Sequence, residues 1–210
     1  MEGTLAPRVA TTAAVARNDL RRARILDALR QCTSERGYAG TSLSDIARAA
    51  AMTPSHLLYY FKGKDAILQE YWESRADSLL AQLRALEPEP LERRIDRITE
   101  VLLSGDIATK SDLGLFLEFC GLAVHQKDLY QIKARFDREL KAWFARQLED
   151  SPRALGALTG LAAESAYSML MGLCTSAYFD ERLGFERARG LLRFTLRQMA
   201  GYEPPWEVRQ

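Results

Sequence analysis

The strongest constraint on this chain is a ratio. Its 210 residues hold 31 Leu and 29 Ala but only 7 Ile and 5 Val. Leu and Ala lose little side-chain freedom in a helix, whereas the β-branched pair is stiff at χ1 and favours sheets. A sandwich or a dinucleotide-binding α/β fold needs strands rich in Ile and Val, so the ratio predicts an all-α fold. With 47% hydrophobic and 27% charged residues, the chain can bury a core, which excludes disordered and fibrous classes. Its length fits one compact domain with a small satellite.

The net charge of +1 hides a division. Residues 1–65 carry ten basic and six acidic side chains, a net +4, which leaves −3 on the remainder. A basic head on an acidic body points to a polyanion at the head. Cys32, Cys120 and Cys174 are far apart, with no CxxC or Cys/His spacing, and His56 and His125 are the only histidines. The expectation is therefore no metal site, no cofactor and a reducing, cytoplasmic setting. The longest uncharged run, residues 165–179, is 15 residues, short of the roughly 20 that span a membrane. The first residues lack the apolar stretch of a secretory signal. No membrane partner is expected.

Local signals divide the chain. Residues 1–17 read as a disordered arm, and the first helix opens near Asn18 or Asp19. Ile25, Ala28, Leu29 and Cys32 then share one helical face. Ser42 and Asp45 have capping-box spacing and start a helix to about Ala50, burying Leu43, Ile46 and Ala47. Thr53-Pro54 starts a third helix to about Tyr60, with Leu57 and Phe61 facing inward. Longer helices follow at 65–86, 91–104, 111–125, 128–149, 153–178 and 185–200, with turn chemistry at Pro88, Pro90, Gly105, Ser151-Pro152 and Leu183-Gly184. Two short helices joined by a tight turn and braced by a longer one form a helix-turn-helix, whose second helix enters the DNA major groove. That helix offers Thr53, Pro54, Ser55, His56, Tyr59 and Tyr60. These groups can approach bases, donate to phosphate or lie against sugar and the thymine methyl.

Residues 24–68, RILDALRQCTSERGYAGTSLSDIARAAAMTPSHLLYYFKGKDAIL, resemble the DNA-binding domain of TetR-type transcriptional regulators. The resemblance rests on Ile25-Leu26-x-Ala28, Gly37-Tyr38, Thr41-Ser42, Ile46-Ala47, Tyr60-Phe61, Lys64 and Leu68. It implies Ser42 and Thr53 as helix caps and phosphate donors, Tyr60 as a phosphate contact, and Lys64 opening the fourth helix near the DNA backbone. Ser44, Arg48, Ser55, His56 and Tyr59 are the candidates for base reading. Three positions depart from the family pattern. Ala51 replaces a turn glycine, Thr33 stands where a core aromatic is usual, and Leu58 replaces a phosphate-binding Tyr, a role that neighbouring Tyr59 can take.

The resemblance further implies a helix-turn-helix domain over 18–64, a helical ligand-binding and dimerisation domain over 65–205, and a tail at 206–210. The stretch from Leu113 to Asp150 resembles the betaine-repressor-like branch. A dimer would pair the last two helices with their copies through Met169, Gly172, Leu173, Ser176, Leu192, Leu196 and Met199, residues that serve equally as ordinary core. Candidates for an effector pocket are Phe116, Phe119, Cys120, His125, Phe136, Tyr167, Met171 and Tyr178, again compatible with plain core. Glu118 and Glu164 interrupt apolar stretches, as a cation site or as a solvated edge. The function expected is a homodimeric repressor of a palindromic double-stranded DNA operator, released by a small apolar or amphipathic effector. A helical enzyme would need a nucleophile–base or metal constellation, and none is visible. A protein-interaction module would lack the small polar and aromatic groups that the third helix carries.

Overall fold

The computed structural model of the chain describes residues 6–103 and 109–202. Nine α-helices and one 3₁₀ turn make up the regular structure of these residues, and no strand occurs among them. The helices are α1 (Ala6–Arg36), α2 (Leu43–Ala49), α3 (Pro54–Tyr60), α4 (Lys64–Ala85), α5 (Leu91–Leu103), α6 (Lys110–Ala123), α7 (Lys127–Glu149), α8 (Thr159–Phe179) and α9 (Gly184–Ala200). The chain divides into two compact units, residues 1–72 and 73–210. The border falls inside α4, later than the turn at Lys62-Gly63 that marks a boundary in the sequence. Ile67, Leu68 and Tyr71 are buried and belong to the first unit.

Two expectations about helix starts are corrected. The first helix begins at Ala6, not near Asn18. Residues 6–17 contain five alanines, the best helix former, and Pro7 lies in the first turn, where no N–H is needed. The remainder of the expected arm, residues 1–5, lies outside the described residues, as do the break at Gly105 and the tail at 206–210. The helix expected from Arg153 begins at Thr159, after a 3₁₀ turn at Gly156–Leu158. Ala154 and Gly156 have φ of 49° and 54°. Left-handed residues end a helical path, and nothing in the side-chain periodicity announces them.

The first unit packs Ile25, Ala28 and Leu29 of α1 with Ile46, Ala47, Leu57 and Phe61, all of them buried. The second unit has one continuous apolar core. Leu83, Ile95, Ile98, Leu103, Leu140, Trp143, Phe144, Leu170, Leu192 and Leu196 are all within it. Helices α5, α7, α8 and α9 supply most of it, pairing as α7 with α8, α5 with α9 and α8 with α9. Arg197 on α9 reaches Glu92 and Asp96 on α5. Arg94 ties the turn after α4 to α7 through the carbonyl of Glu89 and the side chain of Gln147.

Candidate nucleic-acid interface

The helix-turn-helix is held by its caps. Ser42 Oγ accepts from the Asp45 N–H at 3.1 Å, and the Asp45 carboxylate accepts from the Ser42 N–H at 3.0 Å. Ser42 Oγ also donates to that carboxylate. These bonds from Ser42, with Arg36 and Arg48 nearby, hold the Asp45 carboxyl below its usual range. The turn into α3 passes through Ala51 at φ 54°, the left-handed conformation that the family's glycine supplies without steric cost. Thr53 Oγ1 then accepts from the His56 N–H at 3.2 Å, with Pro54 in the first helical position. Leu57 is fully buried on the inner side of α3.

That anchoring turns the other face outward. Ser42, Ser44, Arg48, Thr53, Ser55, His56 and Tyr59 are all exposed, Tyr59 to 80%. His56, Tyr59 and Tyr60 form one aromatic group, with Tyr60 5.4 Å from the His56 ring and 5.2 Å from Tyr59. The two caps differ in what they leave available. The Ser42 hydroxyl proton is already given to Asp45, whereas Thr53 only accepts. Thr53 therefore keeps a donor for a phosphate oxygen, and Ser42 serves first as a cap.

Lys64 opens α4, as expected, and has a further task within the fold. Its Nζ donates to the carbonyls of Tyr38 and Thr41, each at 2.8 Å, and lies 4.1 Å from the Tyr38 ring centroid. Two of its three hydrogens are spent pinning the loop before α2, so Lys64 acts as an internal clamp. Beside it the Tyr38 hydroxyl donates to Asp65. Burial and that carboxylate push the Tyr38 phenol far above its ordinary range.

Sequence reasoning missed two arginines. Arg21 donates to the Tyr60 hydroxyl at 3.0 Å, which brings a guanidinium to the outer face. Arg22 donates to both carboxylate oxygens of Glu70 and, at 3.1 Å, to the Tyr60 carbonyl, with its guanidinium 4.4 Å from the Phe61 ring. It joins α1, the end of α3 and α4. These partners lie 38 to 48 residues apart in sequence, so no local pattern reveals them.

Comparison with known proteins decides what this scaffold is. The family profile described as "Bacterial regulatory proteins, tetR family" matches residues 25–71. The profile described as "BetI-type transcriptional repressor, C-terminal" matches residues 90–201. The chain is a member of the TetR family. It is a DNA-binding transcriptional regulator, and its helix-turn-helix is the DNA-binding element of that family. Among its relatives is the HTH-type transcriptional regulator BetI of Cronobacter sakazakii, 26% identical over 192 residues, covering 88% of this chain and 94% of the relative. The protein of the same name from Burkholderia thailandensis is 24% identical over 185 residues, covering 85% and 94%. A transcriptional regulator from Rhodococcus sp. superimposes with a TM-score of 0.75 at 19% identity, covering 86% of this chain and 96% of that one. A TetR transcription regulator from Haloarcula marismortui gives 0.74 at 16%, covering 87% and 97%. At such identities these structures show a shared TetR fold.

In the C-terminal unit of this TetR-family chain, the expected pocket residues fall into different places. Phe119 and Tyr167 are buried, and Phe116, Cys120, Phe136, Met171 and Tyr178 are half-buried. His125 is exposed, because α6 ends at Ala123 and the inward periodicity ends with it. Tyr178 lies over Gly114, where an added Cβ would come within 3.2 Å of its ring. A polar cluster that the sequence did not announce sits among Phe116, Cys120 and Tyr167. Lys133 Nζ donates to Asp137 at 2.6 Å and to the Tyr167 hydroxyl at 3.1 Å, and lies 5.7 Å from the Phe116 ring centroid. Lys141 Nζ lies 4.9 Å from the Tyr167 ring centroid. Burial first, and then Asp137, push the Tyr167 phenol strongly upward. Burial also raises the thiols of Cys32, Cys120 and Cys174, the last to about 11, so all three are protonated and weakly nucleophilic near neutral pH. Glu118 and Glu164 are exposed, the solvated-edge alternative.

The expected dimer residues also separate. Leu173, Leu192 and Leu196 are buried in their own chain's core, so they have no side chain to offer a second copy. Gly172 and Ser176 are exposed, Met169 and Met199 are half-buried, and a Cβ at Gly172 would meet nothing. No helix of the described residues is long and apolar enough to cross a membrane, and none of them form a group of three or more potential metal ligands.

Proposed function

We propose that this TetR-family regulator is a homodimeric repressor that holds a palindromic operator and releases it when a small amphipathic molecule binds the C-terminal unit. The observation that carries the DNA half is the face of exposed Thr53, Ser55, His56 and Tyr59 with half-buried Tyr60, on a helix whose opposite side is fixed by Leu57. One seven-residue helix reads few base pairs, and two-fold pairing over an inverted repeat doubles the contacts.

Support for the dimer comes from α8. Ser165, Ser168, Gly172 and Ser176 present a stripe of small exposed side chains at helical spacing, with Leu161 64% and Phe179 72% exposed at its ends. Phe194 of α9 adds a further exposed aromatic ring. Small residues let helices approach closely, and large apolar groups at the ends of the stripe supply area to bury. Support for an amphipathic effector comes from Lys133, Asp137 and Tyr167, a polar group set against Phe116 between apolar helices. The relatives named BetI and the repressor profile favour repression over activation.

Selection from a random duplex pool with the full chain tests this reading. The expected result is an inverted repeat, bound by two chains per duplex in sedimentation. Recovery of a lone half-site bound by a single chain would overturn it.

A further inference from the structure

Among the side chains of α1 described from residue 15 onward, Ile25 is the first buried one, and from residue 15 to 24 every side chain is exposed except half-buried Arg22. A helix bare on nearly all sides draws no stability from packing, and short isolated helices are marginal in water. These ten residues carry Arg17, Arg21, Arg22 and Arg24 against Asp19 alone. Arg17, Arg21 and Arg24 stand at i, i+4 and i+7, one face of the helix. Ala28, the next position on that face, is buried, so the arginine row continues the side of α1 that turns toward the helix-turn-helix. The middle of the row is already placed, because Arg21 donates to the hydroxyl of Tyr60 on the outer face of α3.

We infer that the exposed arginine face of α1 is a second DNA-contacting surface, which grips the phosphate backbone beyond the bases that α3 reads. The inference rests on the DNA-binding reading above and adds a partner for a segment that this reading leaves uncovered. The row spans about 10 Å at 1.5 Å per residue, and a strand places one phosphate every 3.4 Å of helix axis. Arg17 and Arg24 on either side of Arg21 therefore reach two or three phosphates. A guanidinium binds phosphate through paired, planar hydrogen bonds, and phosphate contacts add affinity and register without base preference. Charge decides the occupant. A second copy of the same positive face would repel this one, whereas duplex DNA complements it.

The test uses the full chain and the duplex that selection with the wild-type chain recovers, made in two lengths. One ends at the outermost recovered base pairs. The other carries about ten further base pairs of mixed sequence on each side, one helical turn. The wild type is expected to bind the longer duplex about tenfold tighter or more at low salt. Its log affinity against log salt should be steeper on that duplex by about 4 to 5, two or three phosphates on each of two chains at roughly 0.9 each. The double variant Arg17→Ala with Arg24→Ala, which leaves the Arg21–Tyr60 bond in place, is expected to bind the short duplex as the wild type does and to lose the gain on the long one. Equal wild-type affinity for both lengths overturns the inference, as does a double variant that keeps the gain. So does one that changes the sedimentation of the free protein, which would assign the face to a second copy. A wild-type chain that enriches no duplex at all is a separate result, and it overturns the operator-binding reading itself.

Discussion

Ala51 shows how much a single residue can say. The sequence places alanine where the TetR pattern has a turn glycine, and the backbone keeps the glycine's conformation, φ 54°. Left-handed geometry costs an L-residue about 1 to 2 kcal/mol, so Ala51→Gly is expected to stabilise the chain by about 1 kcal/mol and raise its melting temperature by roughly 2 to 4 °C. A calorimetric scan with no upward shift would mean that the turn strain is relieved elsewhere. The cap at Ser42 was equally legible, since its bond to the Asp45 N–H is a matter of three residues' spacing. Ser42→Ala should cost about 1 kcal/mol in chemical denaturation. The same cap has a pH signature. Because the Asp45 carboxyl titrates below its ordinary 3.8 when folded, its contribution is complete above that value and is lost as pH falls through the lower, folded one. The melting difference between wild type and Asp45→Asn should therefore shrink as pH falls below 3.8, and a constant difference would remove the carboxylate from the account. Lys64 was not legible, because the carbonyls that it pins belong to a loop more than twenty residues earlier. Lys64→Met is expected to lower the melting temperature, an effect that a lysine reaching only for DNA would not produce.

At the scale of elements, the sequence was readable wherever a local signal starts or stops a helix, and misleading where the signal was conformational. The Thr53-Pro54 start and the Ser42 capping box are local chemistry, and α2 and α3 begin where these place them. The delayed start of α8 depends on left-handed Ala154 and Gly156, which no periodicity encodes. α1 begins before its expected start because residues 6–17 are rich in alanine, the best helix former. Gly40 fixes the α1–α2 loop by absence, since a Cβ there would come within 2.5 Å of the Arg36 carbonyl oxygen. Gly40→Ala must shift backbone, at about 1 to 3 kcal/mol, and unfolding at unchanged denaturant concentration would show the space to be slack. On α8 the opposite holds. Gly172 has nothing near it, so Gly172→Arg should leave the fold intact while splitting the proposed dimer in sedimentation velocity. A stable Gly172→Arg dimer would move the interface off this face.

The whole molecule explains why a near-neutral protein can bind DNA. The excess of positive charge lies in the first 65 residues, where Arg17, Arg21, Arg24 and Arg48 are all exposed, and the acidic excess lies in the remainder. Composition alone revealed that division and the helical class. The residues that bring the first unit together, Arg22 with Glu70 and Tyr38 with Asp65, meet only in the fold, as do Lys133 and Tyr167 in the second. The sequence therefore identified the outward face of α3 more completely than the contacts beneath it. Pocket and dimer candidates scattered because an apolar stripe on a helix looks alike whether it faces its own core, a ligand or a second copy. The central claim is that the α3 face binds the operator, and affinity for the selected duplex tests it directly. Tyr59→Ala and the pair Ser55→Ala with His56→Ala change only exposed side chains. Both should melt as the wild type does and bind the duplex at least about tenfold more weakly, in line with losing 1 to 3 kcal/mol of groove contact. Wild-type affinity in both variants would contradict the claim.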